Sequence, residues 1–130
     1  MTAAAPVSHG ARKTFRADFD HPVTWVELRG SHDVFGDERV VIFPTPGHTP
    51  GHQSLLVHLD KQSIILGGDA AYLPQKMHDR CLPGILWNPD ALLESWERIE
   101  QLQTKHGARL ILTHDLDLAA VRVAPKSFYE

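Results

Sequence analysis

Residues 45–59 read Thr45-Pro46-Gly47-His48-Thr49-Pro50-Gly51-His52-Gln53-Ser54-Leu55-Leu56-Val57-His58-Leu59. The first eight positions carry a doubled Pro-Gly-His unit, through which neither a helix nor a strand can run, because prolines and glycines alternate within it. From Gln53 to Leu59 the composition turns β-branched and apolar, which predicts a strand. A stiff, ordered loop therefore hands His48 and His52 to the start of a strand. Pro and Gly hold such a backbone with little freedom, as fixing the direction of an imidazole requires. Taken alone, the segment also reads as a rigid turn carrying two surface histidines.

Outward from this stretch, Asp60-Lys61-Gln62 is a turn and Ser63 to Leu66 a second short strand, together a hairpin that Gly67-Gly68-Asp69 ends. Upstream, Arg39 to Phe43 is an apolar run stopped by Pro44, and Val23 to Leu28 reads as a strand bounded by Pro22 and Gly30. The turn formers of Ser31 to Glu38 would join those two into another hairpin. Ala70 to Trp87 has little periodicity and reads as a long loop of the kind that is usually functional. The clearest helix follows, with Asn88 as N-cap, Pro89 in the first turn, Asp90 at the positive end of the dipole and Gly107 as left-handed C-cap. Leu92, Trp96, Ile99 and Leu102 line one of its faces, which should pack on the sheet. Arg109 to Leu112 is a last strand ending at Thr113-His114-Asp115, and Leu118 to Val123 a helical turn before Pro125. Residues 1–22 are expected to be an N-terminal arm, partly disordered, ahead of one domain over 23–130.

Composition narrows the function. A chain of 130 residues makes one domain at most. A net charge of -3 gives no electrostatic footprint for nucleic acid or an anionic membrane, so neither is an expected partner. No apolar stretch approaches the roughly 18 residues that span a bilayer, and no secretory signal is readable at Met1 to Gly10, so the chain reads as cytoplasmic. Cys81 is the single cysteine, which removes disulfides within the chain and any thiolate-rich metal cage. Nine histidines remain as the unusual feature, imidazole being the commonest metal ligand. Trp25, Trp87 and Trp96 read as packing residues, since no basic stripe accompanies them.

Asp69 follows an apolar strand after two glycines, His114 follows another after Thr113, and His52 directly precedes one. Alone, Gly68-Asp69 reads as a turn and His114-Asp115 as a loop hydrogen bond. Together, the segment from Thr45 to Leu55, the Gly68-Asp69-Ala70-Ala71-Tyr72 segment and the Thr113-His114-Asp115 segment resemble, in order and spacing, the metallo-β-lactamase superfamily. The likeness is closest to its N-acyl homoserine lactone lactonases and runs from about residue 23 to the C-terminus. It implies an α/β fold, half of an αββα sandwich, with a mixed sheet and a flanking helix. It implies that His52, Asp69 and His114 are ligands of up to two zinc ions, Asp69 bridging them, and that His48 is not a ligand. It implies for Tyr72 a catalytic place beside the substrate carbonyl, with Asp69 also in the catalytic set. The implied substrate is a small-molecule ester or lactone.

The family's His-x-His-x-Asp-His motif is absent: no two of the nine histidines are separated by a single residue, and His21 beside Asp20 supplies only a fragment of it. The chain accordingly resembles the C-terminal half of such an enzyme. Either it is a lactonase-like hydrolase that is incomplete alone, or it is a truncated or degenerate copy acting as an interaction subunit. Half a sandwich leaves one sheet face without its usual cover, so a homo-oligomer, or a complement to an N-terminal half, is expected.

Overall fold

The computed structural model describes residues 22–24 and 26–115. Among the described residues, five strands follow one another across a single sheet in chain order: β1 (His32–Asp33), β2 (Val40–Pro44), β3 (Gln53–His58), β4 (Ser63–Gly68) and β5 (Arg109–Leu112). The first three pairings are antiparallel, and β4 pairs with β5 in parallel. A parallel partner requires a crossover, which helices α1 (Pro74–His78) and α2 (Pro89–His106) provide. The result is the α/β arrangement, a mixed sheet with a flanking helix, that the sequence leads one to expect.

Register sorts the strand residues onto two faces. Val41 lies opposite Leu56, Phe43 opposite Ser54, and Leu56 opposite Ile65, so these share a face. Phe43, Leu56, Ile65, Leu110 and Leu112 from that face form one buried cluster with Leu92, Trp96 and Ile99 of α2. The neighbouring positions Ile42, Leu55 and Leu66 pair in register on the other face, where Leu66 is 40% exposed.

Each end of α2 stops where its residues dictate. The Asn88 side chain accepts a hydrogen bond from the Ala91 N–H at 3.0 Å, Pro89 occupies the first turn, and Asp90 lies at the positive end. Gly107 adopts a left-handed φ of 59° and donates its N–H to the Gln103 carbonyl.

Three details differ from the sequence reading. The stretch Val23 to Leu28 forms no strand among its described residues. Val23 is 55% and Val26 76% exposed, and apolar β-branched composition without a pairing partner does not make a ladder. The hairpin onto β2 is made instead by β1, from within the segment expected to be only a turn. Within Ala70 to Trp87, expected to be loop throughout, α1 forms a short turn of helix started by Pro74 and anchored by buried Met77. The proposed helical turn at Leu118 to Val123, Trp25 and nearly all of the N-terminal arm lie outside the described residues.

Candidate active site

Strand directions bring the three histidine and aspartate positions together. Because β3 and β4 are antiparallel, β3 begins on the edge where β4 ends; because β4 and β5 are parallel, β5 ends there as well. His52 thus enters β3, Asp69 leaves β4 and His114 leaves β5 along one edge of the sheet. A register shift between Leu66 and Gly68 and the hydrogen bond from Thr113 N–H to the Gly68 carbonyl at 3.2 Å lock the two strand ends to each other. Ligand sites outside the carboxyl ends of strands are a general property of α/β sheets.

The Pro-Gly-His loop is bolted to α2. The Gly47 carbonyl accepts hydrogen bonds from Trp87 N–H at 2.7 Å and Asn88 N–H at 3.1 Å, and Ser95 Oγ donates to the Pro46 carbonyl at 2.6 Å. Gly47 has a φ of 140°, and a Cβ there would fall 2.5 Å from the Leu92 Cα. Thr45 N–H donates back to the His52 carbonyl at 2.9 Å and closes the loop.

Within the cluster, the Asp69 carboxylate lies between imidazoles. Its Oδ1 is 3.4 Å from His114 Nε2 and its Oδ2 is 3.9 Å from His48 Nε2. His52 Nε2 accepts the Asp69 backbone N–H at 3.2 Å, and His52 Nδ1 is 2.8 Å from Thr45 Oγ1. Burial, followed by the adjacent His48, holds the His52 pKa below its ordinary value, against opposing pulls from Thr45 and Asp69. His52 is therefore the neutral imidazole near pH 7. Tyr72 stacks edge-on against His114 with ring centres 4.8 Å apart and meets His48 at 6.4 Å. Beside Tyr72 opens a cleft of about 240 Å³ lined by Ala71, Lys76, Cys81, Leu82 and Trp96 among others.

All four residues singled out from sequence, His52, Asp69, Tyr72 and His114, thus gather at one site. His48 joins them, its ring 6.3 Å from that of His52. Its place beside Asp69 was not readable in the sequence, where both Pro-Gly-His units look alike. Thr45 and Ser54, which contact His52 directly and through each other, carry no signal in the sequence either, being common residues at a strand end and start. His78 and Cys81 are exposed. Trp87 is 49% exposed, so of the described tryptophans only Trp96 is a core packing residue.

The pattern has relatives. A model of the metallo-β-lactamase superfamily matches residues 3–114. The chain belongs to that superfamily. As a member of the metallo-β-lactamase superfamily it is 37% identical over 120 residues to the N-acyl homoserine lactonase AttM of Rhizobium radiobacter, covering 88% of this chain and 46% of that one. It is 32% identical over 87 residues to the N-acyl homoserine lactonase of Bacillus thuringiensis, covering 63% of this chain and 34% of that one. Among solved structures, an N-acyl homoserine lactone hydrolase with the product N-hexanoyl-L-homoserine at its catalytic metal centre matches with a TM-score of 0.64 and 28% identity, over 72% of this chain and 37% of that one. The chain spans less than half the length of the curated relatives it matches.

The donor set of this metallo-β-lactamase-type cluster suits a divalent metal. Asp69 Oδ1 is a buried carboxylate oxygen that makes no hydrogen bond, with His114 Nε2 at 3.4 Å, and a bound cation would stabilise it. His48 Nδ1 is likewise buried and unpartnered. Imidazole and carboxylate together are zinc donors. Among the described residues no three such groups already converge closely enough to hold an ion.

Proposed function

We propose that this chain carries part of the active site of a metal-dependent, lactonase-like hydrolase, with N-acyl homoserine lactones as its substrate class. The observation that carries the reading is the convergence of His52, Asp69, His114 and Tyr72 on one sheet edge. The lactonases among its relatives support the choice of substrate. His52, Asp69 and His114 would hold zinc. When bound, zinc supplies hydroxide near neutral pH and polarises the carbonyl under attack. Tyr72, facing His114 at the mouth of the cleft, would orient the lactone carbonyl by a hydrogen bond from its hydroxyl. The reaction adds water across the ester carbon–oxygen bond, opening the ring to a hydroxy acid that releases a proton near neutral pH.

Three ligand residues divided over two metals fall short of the three or four that each tetrahedral zinc requires. The chain alone is therefore proposed to hydrolyse lactones very slowly or not at all, and to gain activity from the N-terminal half of a related lactonase supplied in trans. Ring opening followed by proton release, with and without zinc, tests this. Activity should require Asp69, whereas Tyr72→Phe should keep metal content and lower turnover. Turnover by the lone chain that Asp69→Ala abolishes would refute the insufficiency. The rival reading, a non-catalytic copy acting as an interaction subunit, is favoured by the missing His-x-His-x-Asp-His motif; failure of every complemented mixture to turn over would leave that reading standing.

A further inference from the structure

Thr45 and Ser54 are buried polar side chains, 0% and 1% exposed. Their hydrogen bonds form a line whose direction can be deduced. The Gly67 carbonyl can only accept, so Ser54 Oγ–H donates to it across 3.4 Å. With the Ser54 hydrogen turned to that carbonyl, the long link of the line, the 2.8 Å contact between Thr45 Oγ1 and Ser54 Oγ is donated by Thr45. With the Thr45 hydrogen committed in turn, the 2.8 Å contact between Thr45 Oγ1 and His52 Nδ1 must be donated by Nδ1–H. The other side of the ring gives an independent answer. The Asp69 backbone N–H points at His52 Nε2 across 3.2 Å, which requires that nitrogen to be bare. Both routes lead to the same neutral tautomer.

We infer that Thr45 and Ser54 are positioning residues that lock His52 in its Nδ1–H tautomer and aim the Nε2 lone pair at the Asp69 edge of the site. The consequence for metal binding rests on the proposed function, in which His52 is a ligand. A neutral imidazole has two tautomers, and the hydrogen bond made by one nitrogen decides which carries the lone pair for a metal; at His52 Nε2 a metal would take the place of the Asp69 N–H. Here the anchor is a hydroxyl pair inside the protein, where water does not readily replace a lost partner. Outer partners of this kind commonly change metal affinity 10- to 100-fold on removal.

The tautomer of His52 can be read in long-range 1H–15N spectra of the metal-free chain at a pH where the ring is neutral, and zinc affinity by competition with a chelator. Wild type and Thr45→Ser should show Nδ1–H. Thr45→Val removes the side-chain acceptor for that proton, and Ser54→Ala frees the Thr45 hydrogen to turn toward Nδ1; both should raise the share of Nε2–H, against the opposing Asp69 N–H, and weaken zinc binding about tenfold or more. Should Thr45→Val fail to fold, the milder Ser54→Ala carries the same reading. An Nε2–H tautomer in wild type, or tautomer share and zinc affinity both unchanged in Ser54→Ala, would overturn the inference. The Nδ1–H form in wild type without any zinc uptake would support the lock and instead overturn His52 as a ligand.

Discussion

Trp96 Nε1–H donates to the Ala70 carbonyl at 2.7 Å inside the core, and so pins the backbone one residue beyond Asp69 to helix α2. Trp96→Phe keeps most of the packing but leaves a buried carbonyl unpaired, which costs about 1–3 kcal/mol. Chemical denaturation should show that loss, and zinc uptake should fall with it as Asp69 loosens. Gly68 acts on the site from the strand side. It has a φ of 56°, and a Cβ there would lie 3.2 Å from His52 Nε2. Gly68→Ala combines backbone strain of about 1 kcal/mol or more with pressure on the nitrogen proposed to bind metal. A zinc titration of Gly68→Ala should accordingly show weaker binding than its loss of stability alone explains.

The same logic applies between elements, where the loop 45–52 meets the start of α2. Gly47 and Gly51 occupy equivalent places in the doubled Pro-Gly-His unit, yet only Gly47 is pressed against Leu92, while a Cβ at Gly51 meets nothing within 4 Å. Gly47→Ala should therefore destabilise by about 3 kcal/mol through overpacking and strain, and Gly51→Ala by well under 1 kcal/mol; thermal unfolding of the two variants makes the comparison. At the far end of α2, His106 stands with its ring centre 4.9 Å from that of His58. Burial, then His58, then Lys105 hold the His106 pKa below its ordinary value of 6.5. A histidine depressed in the folded state is protonated first in the unfolded chain, so stability is level above about pH 6.5 and falls as the pH drops below it. His52 pulls in the same direction. Denaturant midpoints measured from pH 7.5 down to 5.5 should decline, and His106→Gln should flatten the decline.

Across the whole molecule, one sheet face is sealed by α2 and the other carries apolar residues, including partly exposed Leu66. We expect self-association through that face, which light scattering would detect; a strictly monomeric, well-behaved sample would count against it. Metal analysis after dialysis should find well under two equivalents of zinc per chain, and less still in Asp69→Ala. Among the described residues no helix is long and apolar enough to cross a membrane.

Local chemistry alone was enough for several elements. Helix α2 carries its own stop signals in Asn88, Pro89 and Gly107, and β3, β4 and β5 are short apolar runs between turn formers, so their positions could be read within a residue or two. The grouping of His52, Asp69 and His114 was also legible, because each stands within two residues of a strand end and the motif order matches a known family. Val23 to Leu28 was misread because a strand exists only through its partner, and partner choice is not encoded in composition. Likewise, two Pro-Gly-His units are chemically the same in sequence. Only the packing of Gly47 on Leu92, and the reach of His48 to Asp69 across 3.9 Å, gave each unit a different role. The Thr45–Ser54 line exists only once β3 and β4 lie side by side, since its last acceptor, the Gly67 carbonyl, belongs to the neighbouring strand. Residues far apart in the chain acquire donors and acceptors from one another through register, and register is a property of the folded sheet.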